Sequence, residues 1–170
     1  SERFGYDEGK EKRLSRSQQM VLATAYKAVE SAGLLGADDR LATDDPKRTA
    51  VIIATCLSNE LGNDIQLKYW YPEVVSMLEK TPAYARLDDA ERAKIKQALQ
   101  EGMEGENKGY DPVHGILLNI EASRIARHLG ARGVNYIVDA ACASSVTALE
   151  AATGELLSGD HDQVIVGGVN

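Results

Sequence analysis

Two hydrophobic periods alternate along this chain. Met20, Val21, Ala23, Ala25, Val29 and Ala32 recur at helical spacing. Ser15 with Gln18 forms a capping box ahead of them and Gly33 supplies a stop, so the pattern predicts a helix over residues 16–32. The acidic, proline-containing stretch 37–47 reads as a connection. The period then changes: Arg48-Thr49-Ala50-Val51-Ile52-Ile53-Ala54-Thr55 is a continuous β-branched run, as expected of a strand buried on both faces of a parallel sheet. Residues 1–14 are charged, contain glycine and show no periodicity, which predicts a surface arm.

Between residues 62 and 115 the character is helical. Pro72-Glu73-Val74-Val75-Ser76-Met77-Leu78 predicts a short helix starting on its proline. Asp88 with Glu91 is a second capping box, opening a charged amphipathic helix from Ala90 to Met103 that Gly102, Gly105 and Gly109 close. About 50 residues would make a thin core, so 62–115 reads as an excursion from the sheet. Residues 115–129 carry Ile116, Leu117, Ile120, Ile125 and Leu129 on one face, with Gly130 as the stop. A strand follows at 134–138. A helical pattern then runs to about Leu157, with Val146, Leu149, Leu156 and Leu157 on one side, and a second buried strand follows at 163–169. A strand-helix-strand crossover of this length makes the strands parallel, and the class α/β.

Composition narrows the function. The chain has 170 residues, 19 basic and 26 acidic, and a net charge of −7. That balance argues against nonspecific nucleic-acid binding. No apolar run approaches the roughly 20 residues of a membrane span and no signal-peptide pattern is visible, so a cytoplasmic setting is expected. Cys56 and Cys142 lie too far apart in sequence to read as a disulfide framework. His114, His128 and His161 share no ligand spacing and read as surface or loop histidines, with no metal site implied. Gly167-Gly168 lacks the spacing and the Lys of a phosphate loop. Tyr69-Trp70-Tyr71 stands out in an aromatic-poor chain, either as the lining of a substrate tunnel or as an anchor of the excursion to the body.

The candidate chemistry sits in Val138-Asp139-Ala140-Ala141-Cys142-Ala143-Ser144-Ser145. A strand, a corner of small residues and a helix place Cys142 at a helix N-terminus, where unpaired N–H groups and the macrodipole favour an anion. The thiolate is the nucleophilic form of cysteine. A buried, inert cysteine is the alternative at this stage. Cys56 ends a strand without such a corner and reads as structural. Ala140 and Ser144 stand where an α/β-hydrolase elbow would place glycines, which disfavours that fold.

That eight-residue stretch, with Ala148-Leu149 beyond it and Val164-Ile165-Val166-Gly167-Gly168-Val169-Asn170 closing the unit, resembles the active-site region of β-ketoacyl synthases. Asn119 through Ser123-Arg124-Ile125-Ala126 and Leu129-Gly130 resemble the helix before that family's cysteine strand. Ser17-Gln18-Gln19 and Ala28 to Leu34 resemble an earlier helix. Tyr71-Pro72 and the Glu106-Asn107 turn are most similar to iterative polyketide and polyunsaturated fatty-acid synthases. The resemblance implies that Cys142 is the catalytic nucleophile of a decarboxylative Claisen condensation, taking an acyl group from a carrier-protein thioester. It implies an acyl carrier protein as partner, phosphopantetheine carried by that partner, no directly bound cofactor, and a homodimer with 134–138 near its axis. Arg124, Arg127 and Arg132 are candidates for the carrier's landing site. The family's HGTGT-type and Asn-Lys…Gly-His motifs are not found here, so no histidine is carried over.

The resemblance also implies the thiolase fold, a layered α/β/α arrangement of two similar halves. Residues 1–170 are then expected to be part of a ketosynthase domain, the first half without its first strand, with 62–115 as a helical insertion. In the half's strand order 3-2-1-4-5, residues 48–55, 134–138 and 163–169 are strands 2, 3 and 4. Strand 4 is expected to face a gap where strand 1 would lie, leaving the chain inactive alone. A non-catalytic scaffold or dimerisation partner is the alternative, and Cys142 counts against it.

Overall fold

The computed structural model describes residues 14–56, 60–104 and 117–169, with the backbone alone for 60–65 and 104. In chain order the elements are α1 (Arg16–Ser31), β1 (Thr49–Ala54), α2 (Glu60–Glu79), α3 (Pro82–Ala85), α4 (Asp89–Glu104), α5 (Ile120–Leu129), β2 (Asn135–Val138), α6 (Ser144–Leu157) and β3 (Gln163–Gly168). Short 3-10 turns occupy Pro46–Arg48 and Ala141–Ala143. No helix among the described residues is long and apolar enough to cross a membrane.

The first helix begins and ends on its expected signals. Ser15 Oγ accepts the Gln18 N–H at 3.2 Å, taking up one orphan donor of the first turn. Gly33 adopts φ +71°, and the Gly33 and Leu34 N–H groups donate to the carbonyls of Glu30 and Val29. Gly130 ends α5 in the same left-handed conformation, at φ +79°.

Among the described residues the sheet has the order β2-β1-β3, all parallel. Alternation along β1 sends Val51 and Ile53 to one face and Ile52 and Ala54 to the other. On the first face, Val51 and Ile53 meet Val21, Leu22 and Val29 of α1 and Ile125 and Leu129 of α5. On the second, Ile52 and Ala54 meet Ala148 and Ala152 of α6. The result is an α/β/α layer stack, as a thiolase-like fold requires. Ile52 and Ile53 are at most 1% exposed, and each such side chain is worth roughly 2–3 kcal/mol of burial.

Several expectations are corrected. β3 pairs directly with β1, in register from Thr49↔Gln163 to Ala54↔Gly168, so no gap separates residues 49–54 from 163–168. Of the three described strands β1 alone is buried along its whole length, because it is central. The flanking β2 and β3 are half-buried. Pro72 lies inside α2 and does not start a helix. It removes one N–H and costs roughly 3 kcal/mol in a helix interior. Packing along α4 carries the helix through: Tyr71 Oη donates to the Lys96 carbonyl at 3.4 Å, and Lys96 Nζ lies 2.6 Å from Glu79 Oε1.

Gly102 is likewise inside α4 and does not close it; Gly105 and Gly109 lie outside the described residues. The α4 capping box forms as expected, with Glu91 N–H donating to Asp88 Oδ1 at 2.8 Å and Asp88 N–H to Glu91 Oε2 at 3.1 Å. Helix α5 starts at Ile120, later than its apolar pattern predicts. The Glu106-Asn107 turn and most of the arm at 1–14 lie outside the described residues, and Leu14 itself is buried.

The α6 expectation is reversed. Val146, Leu149, Leu156 and Leu157 are exposed, at 72, 58, 46 and 83%. The buried face is Ser144, Ala148 and Ala152. Small side chains let the helix axis approach the sheet closely, so the large ones are turned away.

Candidate active site

β2 ends at Val138, whose carbonyl accepts the Thr55 N–H at 3.2 Å and so draws the carboxyl ends of β1 and β2 together. The chain then turns sharply. Asp139 Oδ1 accepts the Ala141 N–H at 3.0 Å, and Ala141 adopts φ +50°, a left-handed conformation that a Cβ disfavours. Cys142 follows within the 3-10 turn, and α6 begins two residues later at Ser144. The cysteine is therefore ahead of the helix N-terminus by one 3-10 turn, and it is exposed.

Helix α6 seats closely on the end of β3. A Cβ on Gly168 would lie 2.4 Å from Ser145 Oγ, a hydroxyl that can rotate aside, and 3.4 Å from Ser145 Cβ and 3.6 Å from Ala54 Cβ, so the first turn of α6 lies close against the end of the strand. Between these elements lies a pocket of about 300 Å³, lined by Thr55 and Cys56, by Cys142 and Ser145, and by Gly168 and Val169. It opens at the carboxyl ends of parallel strands, where open α/β sheets bind their ligands. Cys56, read from sequence as structural, is a half-buried wall of the same pocket as Cys142. A larger cavity of about 510 Å³ lies in the excursion, beside Glu79, Tyr84, Asp89, Arg92 and Lys96. Its charges are already occupied: Lys96 with Glu79 at 2.6 Å, Arg92 with Asp89 at 3.5 Å and over the Tyr84 ring. The thiol is in the smaller one.

Other expected residues fall elsewhere. Tyr69 and Trp70 are exposed, and the Tyr71 hydroxyl ties α2 to α4 through the Lys96 carbonyl. His114 lies outside the described residues. His161 lies in a loop, as read, but it is buried and not at the surface. Its Nε2 accepts the Val134 N–H at 3.4 Å and its Nδ1 lies 2.9 Å from Glu155 Oε2, while Glu155 Oε1 accepts from Tyr136 Oη at 3.4 Å. This network ties the far end of α6 to β2. Burial, with Glu155 adding to it, holds the Tyr136 phenol above its ordinary pKa.

On α5, burial holds the His128 imidazole below its ordinary pKa, and Arg124, Arg127 and Arg40 push the same way. Arg127 and Arg132 are exposed. They sit at the C-terminal end of α5 and in the loop entering β2, at the opposite end of the sheet from Cys142. The arginines therefore do not converge on the elbow. Among the described residues no three His, Cys, Asp or Glu side chains converge as metal ligands would.

Three features escaped the sequence reading: the Cys56 wall, the part Ser144 plays in the turn, and the burial of Glu121. The first needed the β1–β2 register. The second needed the backbone conformation at Ala141. The third needed the packing of α5 on α1.

A stretch of 57 residues, 34% of this chain, is 44% identical to a polyunsaturated fatty acid synthase polypeptide of Thraustochytrium sp., of which it covers 2%. A 56-residue stretch, 33% of the chain, is 41% identical to a non-reducing polyketide synthase of Emericella nidulans, again 2% of that protein. A third, 64 residues and 35% of the chain, is 41% identical to mycoketide-CoA synthase of Mycobacterium tuberculosis, of which it covers 2%. The chain thus matches only a small part of these long relatives. The sequence model described as "Beta-ketoacyl synthase, N-terminal domain" matches residues 1–170. Because that match runs through the sheet, the helices on both its faces and the excursion as well as the cysteine turn, the chain belongs to the β-ketoacyl synthase family, within its N-terminal domain.

Proposed function

We propose that Cys142 is the acyl-accepting nucleophile of a condensing enzyme that works inside a longer synthase. The observation that carries the reading is an exposed thiol on a sharp strand-to-helix turn, facing a pocket at the carboxyl ends of parallel strands. In the first half-reaction Cys142 Sγ attacks the carbonyl carbon of an acyl thioester on a carrier protein. The new C–S bond forms, the C–S bond to the phosphopantetheine arm breaks, and the proton given up by Cys142 ends on the departing thiol. The Cys142 backbone N–H is the proposed donor to the oxygen that becomes negative in the tetrahedral state. In the second half-reaction a malonyl-type thioester loses CO2 and its enolate carbon takes the acyl group, freeing Cys142. No residue of this chain is assigned to the decarboxylation.

The partners follow: an acyl carrier protein, and a second copy of the chain. The edge position of β2 supports the homodimer, since an edge strand has a row of backbone groups open to pairing. The exposed row Val146, Leu149, Leu156 and Leu157 supports assigning residues 1–170 to part of a larger ketosynthase domain, whose remainder covers that row. A cytoplasmic location fits this reading.

Incubation of the full-length protein with a hexanoyl N-acetylcysteamine thioester, followed by peptide mass spectrometry, tests it. The expected result is an acyl adduct on Cys142 that Cys142→Ser abolishes. Absence of any adduct would favour the non-catalytic scaffold.

A further inference from the structure

We infer that Ser144 is a positioning residue that aims the Cys142 thiol by locking the strained turn before it; this rests on the condensing-enzyme reading above. Ser144 is 5% exposed, and its hydroxyl is used twice. Oγ accepts the Ala140 N–H at 2.8 Å and donates to the Ala141 carbonyl at 2.6 Å. A serine hydroxyl has one proton to give and lone pairs to receive, so one side chain clamps the backbone on both sides of Ala141.

Ala141 is where a clamp is needed. Its φ of +50° is one that an alanine adopts only when the surroundings over-determine it. Four further constraints act on the same turn, the first being the Ser144 backbone N–H, which donates to the same Ala141 carbonyl. Asp139 Oδ1 holds the Ala141 N–H, the Ala143 N–H donates to the Ala140 carbonyl at 3.0 Å, and Gly168 lets the first turn of α6 settle on β3. Of these groups, the Ser144 hydroxyl alone joins the start of α6 to the backbone both before and after the φ torsion of Ala141. The Ala141 carbonyl carbon is bonded directly to the Cys142 nitrogen, so holding that carbonyl orients the peptide plane from which the Cys142 Cα and its thiol extend.

The clamp is separable from stability. Ala140 is exposed, so water can take up the N–H that Ser144→Ala releases, while the backbone N–H of residue 144 keeps its bond to the Ala141 carbonyl. What water does not supply is the direction. Acyl transfer from a thioester needs the sulfur in line with a carbonyl carbon inside the pocket, whereas a small alkylating agent reaches an exposed thiol from many directions.

The experiment uses the full-length protein and compares two reactions at Cys142, acylation by the hexanoyl N-acetylcysteamine thioester and alkylation by iodoacetamide. For Ser144→Ala the expected result is acylation slowed at least about tenfold, in keeping with what small misplacements of reacting groups cost, with alkylation within about twofold of wild type. Adding Ala141→Gly, which adopts φ +50° without a Cβ penalty, recovers part of the acylation rate. An unchanged acylation rate in Ser144→Ala overturns the proposal. So does a parallel fall in both reactions with a matching drop in melting temperature, which is the signature of a structural role alone. A wild-type protein that alkylates but never acylates overturns the condensing-enzyme reading and takes this proposal with it.

Discussion

Glu121 offers a test of the packing between α1 and α5 that depends on the sign of a pH effect. The residue is fully buried in the first turn of α5, and Ser17 Oγ of α1 donates to its Oε1 at 2.9 Å. Its Oε2 has no partner among the described residues. Burial raises the carboxyl pKa, against a smaller lowering by the Ser17 hydrogen bond. The α5 dipole also favours the anion, by up to about 1–2 kcal/mol, but losing hydration costs a carboxylate several kcal/mol and wins. A carboxyl whose folded pKa is raised contributes its full stability below the unfolded value of 4.5 and loses it as pH rises through the folded pKa.

Glu121→Gln keeps the shape and the Ser17 acceptor and removes the titration. It also places an amide N–H where Oε2 stood, at a pH-independent cost of about 1–3 kcal/mol. The informative quantity is therefore how the difference between variant and wild type changes with pH. Hydrogen exchange of the α1 and α5 amides, followed by mass spectrometry from pH 5 to 8 and corrected for intrinsic rates, reads it locally. The variant should gain on wild type as pH rises, and an infrared band of a protonated carboxyl should vanish with the substitution. A difference that stays constant with pH, or moves the other way, would refute the reasoning.

Two other substitutions probe single contacts. A Cβ on Gly133 would lie 2.4 Å from the Thr49 carbonyl oxygen and 2.8 Å from the His161 ring, neither of which can swing away. Gly133→Ala should therefore cost about 3 kcal/mol, at the upper end for overpacking, and an unchanged melting temperature would contradict the packing of β2 on β1. Asp88→Ala removes the acceptor of the Glu91 N–H and should cost about 1 kcal/mol, expressed as faster hydrogen exchange in the first turn of α4 and not in the sheet.

Local signals were legible wherever the chemistry is local. Ser15 and Asp88 cap the helices they precede, Gly33 and Gly130 end theirs, and the run 49–54 is a strand buried along its length, because caps, left-handed glycines and β-branched runs act within a few residues. Pro72 misled because its cost is overridden by contacts with α4, 25 residues away in the case of Tyr71 and Lys96. The α6 face misled because hydropathy counts large apolar groups, while the seat on the sheet selects small ones.

The sequence by itself determined the α/β class, the parallel crossover and the position of Cys142 at a turn between strand and helix, since each follows from periods and spacings that neighbouring residues impose on one another. Tertiary structure alone decided three things. β1 pairs directly with β3, because hydrogen bonds between strands more than 100 residues apart leave no trace in local pattern. Cys56 shares the Cys142 pocket, because the ends of β1 and β2 are drawn together by register. And the thiol faces that pocket from a left-handed alanine clamped by Ser144, because backbone strain is held by contacts across the turn and not by the identity of the strained residue.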